Sequence, residues 1–444
     1  MNRLTLAAVL AACTGTATAG DLFTDVICGA LPDVQNHGTR VVAGETIRAY
    51  SVGTTACNIG NMPAEWIDGT PNHPVIAVTI WKYDNETERL TQLGVTQVKH
   101  SFASLQGNVC QPCQPGGDFS HLGPGCSDPY GAGLNGNQAD LGPRTEVNGF
   151  TADFVYPYTG INQGGNNIFK RIQVKQSDIA DSTATYYVEG VYVHKQDSQF
   201  GTNFNNATYR QLNINQSSFN ANTTGTTFRE VPAIYAWQAQ DPGVVITEQD
   251  YPGEGRIIVA SKATDLGDGN WRYDYGVYNQ NSDLSVASFN VPVTSATSNF
   301  GFNDVTYHST VDENVNPTDW APVEGVSGVT WNSEKASENL MGNAVRWGTM
   351  YNYWFTTNAA PTNGTVSTEA FKSNDTLSFA AIVPTADSVC EADMNGDDIL
   401  DFFDISAFLT AYGNEDSAAD FNDDGLFDFF DVSGFLTAFS AGCP

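Results

Sequence analysis

Between residues 74 and 384 the apolar residues come in short runs that alternate with polar ones, and helical spacing is scarce. PVIAVTIWKY (74–83), TATYYVEGVYVHK (183–195), GRIIVASKA (255–263), WRYDYGVYN (271–279), SVASFNVPV (285–293), RWGTMYNYWFTTN (346–358) and TLSFAAIVP (376–384) are β-branched and aromatic. Clusters of Gly, Asn, Asp and Pro separate them, a pattern that predicts antiparallel sandwiches. The pattern shifts at residues 104–168, which are poor in strand signals and rich in Gly, Pro and Cys, and again near 245, where strand signals become regular. We read a first β-rich region at 20–240, a β-sandwich at 245–384 and a linker at 385–389. Beyond 390 the period becomes helical, with apolar residues at Ile405, Phe408, Leu409 and Tyr412, then at Val432, Phe435, Leu436 and Phe439. The predicted fold class is a mainly β, sandwich-type body with a small α-helical, duplicated domain at 390–444.

Ahead of each predicted helix stands an acidic dodecamer: DMNGDDILDFFD from Asp393 and DFNDDGLFDFFD from Asp420, an offset of 27 residues. Residues 391–444 hold no Lys or Arg, so these carboxylates repel one another unless a cation joins them. Oxygen-bearing side chains fall at positions 1, 3, 5, 9 and 12: Asp393, Asn395, Asp397, Asp401, Asp404 and Asp420, Asn422, Asp424, Asp428, Asp431. That is the ligand spacing of an EF-hand loop, in which position 7 (Ile399, Leu426) offers a backbone carbonyl. Oxygen donors without nitrogen or sulfur select calcium over zinc or copper. Position 6, which favours a left-handed backbone, is Gly425 in the second loop and Asp398 in the first.

With one helix after each loop and none before the first, the repeat resembles a dockerin, the calcium module that docks secreted proteins onto cohesin partners. The Gly442-Cys443-Pro444 ending is similar to that of a bacterial variant of the family. The resemblance implies calcium as cofactor and a cohesin-like or other cell-surface protein as partner. It also implies partner contacts at positions 10 and 11, which here are Phe402-Phe403 and Phe429-Phe430.

Fifty acidic against 19 basic residues give a net charge of −31, which disfavours nucleic acid and anionic membranes as partners. Residues 1–19, with Arg3, an apolar run and Ala17-Thr18-Ala19, read as a signal peptide; Leu10-Ala11-Ala12-Cys13 also fits a lipobox, in which Cys13 would carry a lipid anchor. No other stretch is apolar enough to span a membrane. The expected location is secreted or extracellular, associated with a cell surface.

Export also makes the cysteines candidates for disulfides. Cys390 and Cys443 bracket the C-terminal module, and joining them would restrict its unfolded state by about 4 kcal/mol in the chain-entropy model. Without Cys13, seven cysteines remain, so one lacks an intramolecular partner. Cys110, Cys113, His121 and Cys126 could alternatively ligate zinc.

His100, Asp128, Arg144, Glu146 and Asn148 form a polar set that would either line a pocket or staple a loop. AYSVGTTACNIGN (49–61), NHPVIAVTIWKY (72–83), QVKHSFASL (97–105) and GCSDPYGAGLNGNQADLGPRTEVNGF (125–150) resemble segments of a group of secreted bacterial β-proteins without assigned activity. No GxSxG, HExxH, Walker or Rossmann pattern occurs, and no catalytic residue is assigned. The leading expectation is a calcium-dependent anchored protein whose β body binds or organises extracellular material. The alternatives are a polysaccharide- or polymer-active hydrolase tethered by the module, and a lipid-anchored structural protein of the surface.

Overall fold

The computed structural model describes residues 22–305, 314–326, 328–385, 390–397, 399–422 and 424–442. The expected signal segment, Cys13, His308, linker residues 386–389, Asp398 and Cys443 lie outside them. The chain divides into two compact units, Met1–Pro384 and Thr385–Pro444.

The larger unit is a stack of antiparallel sheets. Its central sheet has seven strands, in the order Leu141–Gly142, Val98–His100, Val75–Asp84, Thr185–Val193, Ala207–Ile214, Ala221–Phe228, with Arg89–Val95 also paired to Val75–Asp84. Period-2 geometry decides what each residue of that sheet meets. Ile76, Val78 and Ile80 face one core, shared with Tyr50, Val52 and Tyr130 of two three-stranded sheets. Trp81 and Tyr83 point to the opposite face, into a second core with Trp237, Ile258, Ala260, Tyr278 and Met350. Burial on both faces is why this strand reads as a nearly unbroken apolar run.

Residues 245–384 form two five-stranded sheets, in the orders Val245–Tyr251, Gly255–Asp265, Trp271–Asn279, Thr349–Thr357, Thr297–Asn303 and Pro322–Gly325, Gly328–Asn332, Val286–Val291, Pro361–Ala370, Thr376–Pro384. Between them lies a third core containing Val259, Tyr275, Phe289, Trp331, Tyr353, Phe355 and Phe379. Ile257 and Val259 face this core while Ile258 and Ala260 face the central sheet's seam, so the first of the two sheets is also buried on both sides. The two β-rich regions read from the sequence are thereby fused through an apolar seam. Polar contacts stitch the same junction. Gln92 Nε2 donates to Gly348 O at 3.0 Å, Met350 N donates to Gln92 Oε1 at 2.9 Å, and Asn352 Nδ2 donates to Leu90 O at 3.0 Å.

Disulfides Cys57–Cys110 and Cys113–Cys126 staple the loop-rich segment, and Cys28 is buried and free. Cys390 is disulfide-bonded, while its expected partner Cys443 is outside the described residues.

The C-terminal unit carries helices Phe402–Gly413 and Phe429–Ala441. Among the described residues its fully buried apolar ones, Ala392, Phe408, Ala419 and Phe435, are two pairs separated by the repeat offset. Phe408 and Phe435 stack on each other at 4.1 Å and 4°. Equivalent residues meeting face to face relate the repeats by a near two-fold axis. Two packed helices bury only a narrow stripe of each, and Leu409 and Leu436, expected in that stripe, are exposed.

Candidate functional site

The acidic loops share most of their described hydrogen bonds. Asp393 Oδ1 accepts from the Gly396 and Asp397 amides at 2.8 and 3.2 Å; Asp420 accepts from Asp424 and Gly425 at 3.2 and 2.9 Å. Asn395 Nδ2 donates to Asp397 Oδ2, and Asn422 Nδ2 to Asp424 Oδ2, each at 3.0 Å. Asp397 and Asp424 accept from the amides of Ile399 and Leu426. Asp401 and Asp428 cap the helices through the Phe403 and Phe430 amides at 2.7 and 2.8 Å. Asp404 and Asp431 complete each capping box and are 0% exposed, turned inward against the loop.

The Asp401 amide, ahead of the other donors, holds the Asp404 carboxyl below the usual carboxylate range, so it stays charged. Gly396, at position 4 of the first loop, and Gly425, at position 6 of the second, are both left-handed at φ +73°. Among the described residues, no three His, Cys, Asp or Glu side chains already stand close enough to hold a metal. The donor set, carboxylate and amide oxygens with backbone carbonyls, is one that suits a hard divalent cation.

Positions 10 and 11 of each loop are presented to solvent. Phe402, Phe403, Phe429 and Phe430 are 73%, 66%, 74% and 66% exposed, and each pair is arranged edge to face. Ile399 and Leu426 beside them, and Leu409 and Leu436 one to two turns on, are exposed as well. Each repeat therefore carries the same apolar surface.

The polar set of the first region is dispersed into structural contacts. Arg144, 2% exposed, donates to Thr96 O and Trp347 O and lies over the Trp347 ring. Asp128 is buried with Oδ1 on the Leu105 amide at 2.7 Å, while Glu146 is exposed and accepts from Thr159 N. His100 is buried against His73 at 2.9 Å and stacks on Tyr158. Asn148 holds a turn through the Phe150 and Thr151 amides. Cys110, Cys113 and Cys126 are in disulfides and His121 pairs with Asp118, so the zinc alternative fails.

Burial pushes the Asp128 carboxyl up to about 7, and that of fully buried Glu189 to about 7. A raised carboxyl stabilises the fold while protonated, fully below about pH 4, and that contribution is lost as pH rises through about 7. The unfolding free energy from urea titrations followed by tryptophan fluorescence should be lower at pH 8 than at pH 5, and Glu189→Gln should reduce the difference by about 1–2 kcal/mol.

Sequence reading missed a cleft of about 470 Å³ where the first region meets residues 302–343. Glu45, Lys175 and Asp178 border it together with Asp304 and Asp319. Burial raises the Asp304 carboxyl, which Asn343 Nδ2 holds at 2.6 Å. Its residues come from segments far apart in the chain, and no local motif marks them.

No family model matches the chain, and no curated protein matches it. Among solved structures, the exo-β-D-glucosaminidase CsxA, studied with castanospermine and australine inhibitors, aligns with 76% of this chain and 25% of its own, at 11% identity and a TM-score of 0.15. The chain thus spans about a quarter of that enzyme's length. A structure named pT26-6p aligns with 88% of this chain and 73% of its own, at 10% identity and a TM-score of 0.13. At such scores neither likeness bears on fold or function.

Proposed function

We propose that the C-terminal unit is a calcium-dependent docking module of the dockerin kind, through which an exported β body is held at a cell surface or in a multiprotein assembly. One observation carries this reading: two adjacent phenylalanines stand in solvent at the same point of both repeats. Four exposed aromatic rings contribute little to the fold of their own module, and covering them on a partner is their physical use. Asp393, Asn395, Asp397, the Ile399 carbonyl, Asp401 and Asp404 would hold one calcium, and Asp420, Asn422, Asp424, the Leu426 carbonyl, Asp428 and Asp431 a second. Bound calcium supplies the positive charge that a module without Lys or Arg lacks. A fitting partner, cohesin-like or another surface protein, has an apolar face rimmed with basic side chains. Near two-fold symmetry lets it engage either repeat. The body then binds or organises extracellular material.

A second reading, a tethered hydrolase of polysaccharide, draws on the cleft, where the shielded Asp304 carboxyl could serve as a general acid near Asp319. Hydrolysis of a polysaccharide that is abolished by Asp304→Asn would support it.

Phe402→Ser combined with Phe429→Ser in the full chain tests the docking reading. Capture of the surface partner should fall by about a hundredfold or more, with calcium affinity and module melting nearly unchanged. A large loss of stability would mean that the rings are structural and that docking occurs elsewhere.

A further inference from the structure

Strand register builds one wall of the cleft of about 470 Å³. Where Ile172–Lys175 pairs with Glu45–Val52, Lys175 stands opposite Ile47 and Gln173 opposite Ala49. Glu45, Ile47, Gln173 and Lys175 therefore share one face of this sheet, and all four line the cleft. Asp178 lines it three residues after Lys175, and Phe302, Asp304 and Asp319 come from the sandwich side.

The charges of the two sides act on one another. Lys175 acts on both Asp178 and Asp304, Glu45 acts on Asp178, and Asp319 acts on Asp304. One base thus faces four acids across a shared space. Burial raises the carboxyls of Asp178 and Asp304, and Lys175 opposes that rise without cancelling it. The space is short of positive charge.

Gln173 gives an independent sign of a missing partner. Its side chain is 9% exposed and Nε2 donates to Ile168 O at 3.0 Å, while among the described residues no donor reaches Oε1. A nine-tenths buried amide oxygen that lines a cavity calls for a donor from the occupant. Water would satisfy it and bring no charge. A bare metal ion would bring charge and leave most of the volume empty. The volume falls within the about 300–1,000 Å³ of small-molecule pockets.

We propose that the cleft binds an amino sugar, its ammonium held between Asp178 and Asp304 and its hydroxyls on Gln173 and Lys175. A hydroxyl both donates and accepts, so one ligand can donate to Gln173 Oε1 and accept from Lys175 Nζ. An alkyl polyamine offers Lys175 only repulsion, and an acidic sugar meets four carboxylates. Ile47, Leu93 and Phe302 add apolar wall against which the C–H face of a sugar can lie. This inference rests on the reading of the body as a binder of extracellular material, gives that material a chemical class, and requires no hydrolysis.

The test is calorimetric titration of the full chain with three probes: a glucosamine trimer, its N-acetylated counterpart and trilysine, at about pH 6, where an amine is protonated. The glucosamine trimer should bind at least about tenfold more tightly than the acetylated trimer, which keeps the hydroxyls and loses the charge, and than trilysine, which keeps the charge and lacks the hydroxyls. Asp304→Asn should weaken it about tenfold. Should that variant fail to fold, Glu45→Gln with Asp319→Asn, both at exposed positions, should weaken it about threefold or more with the melting temperature unchanged. Equal affinity for the acetylated trimer or for trilysine, no binding of the glucosamine trimer, or unchanged affinity in the folded variants overturns the proposal. Retention of extracellular polymer by a full chain carrying Phe402→Ser and Phe429→Ser tests separately whether the body is a binder at all.

Discussion

Chelating calcium from the intact protein should open helices Phe402–Gly413 and Phe429–Ala441 to solvent while the β body stays folded at room temperature. Each loop turns its carboxylates onto its own amides, and each helix begins on a carboxylate of its loop, Asp401 or Asp428. Helix and loop therefore share one electrostatic fate. Without a cation, repulsion among Asp393, Asp397, Asp401 and Asp404, and among their counterparts, acts with no Lys or Arg in residues 391–444 to offset it. The apolar core that opposes this repulsion is small, with Ala392, Phe408, Ala419 and Phe435 fully buried. Loop ligation and helix formation should thus be coupled, as in small metal-dependent domains. Amide hydrogen exchange over residues 402–441 should rise by about a hundredfold or more in chelator and return with calcium. Protection that persists in chelator would contradict the calcium reading while leaving the folded module intact.

The second large effect is expected in the body, from Asp274→Ala. Asp274 is 1% exposed and takes the Arg89 guanidinium on Oδ1 and Arg272 Nε on Oδ2 at 2.7 Å. Arg89 belongs to the central sheet and Asp274 to the sandwich, so this pair spans the seam. Arg89 also lies over Trp354 at 3.8 Å, and burial lowers its affinity for the proton while Asp274 opposes that loss. Removing Asp274 strands a buried guanidinium, which costs about 3–5 kcal/mol. Denaturant unfolding should show that loss. Replacing both partners, Arg89→Met with Asp274→Leu, should recover much of it, because the cost comes from the orphaned charge.

The strands were legible in the sequence because alternation and β-branching act locally. WRYDYGVYN became Trp271–Asn279 residue for residue, and TLSFAAIVP became Thr376–Pro384 with one proline at its end. The phenylalanine pairs were singled out by their place at positions 10 and 11 of the two repeats, and both pairs stand in solvent. Leu409 and Leu436 were misread because helical periodicity gives a stripe but not its width, which the partner helix sets. The fusion of the two β regions was hidden for a related reason. A strand buried on both faces has a visible composition, yet nothing in Trp81 or Tyr83 names Tyr278 and Met350 as neighbours. The Asp178 and Asp304 cleft is likewise a product of long-range closure.

The apolar seam has a consequence for how the chain is made. Trp81, Tyr83, Leu90 and Tyr187 are synthesised well before Trp237, Ile258, Tyr278 and Met350, which cover them. At about 5–20 residues per second, the early half waits several seconds to tens of seconds with one face of its central sheet uncovered. Residues 22–240 should accordingly be a poor fragment, prone to association when expressed alone, and premature termination anywhere before Met350 should yield aggregation-prone chains. Coverage of this face by a chaperone during the wait would be part of the protein's biogenesis.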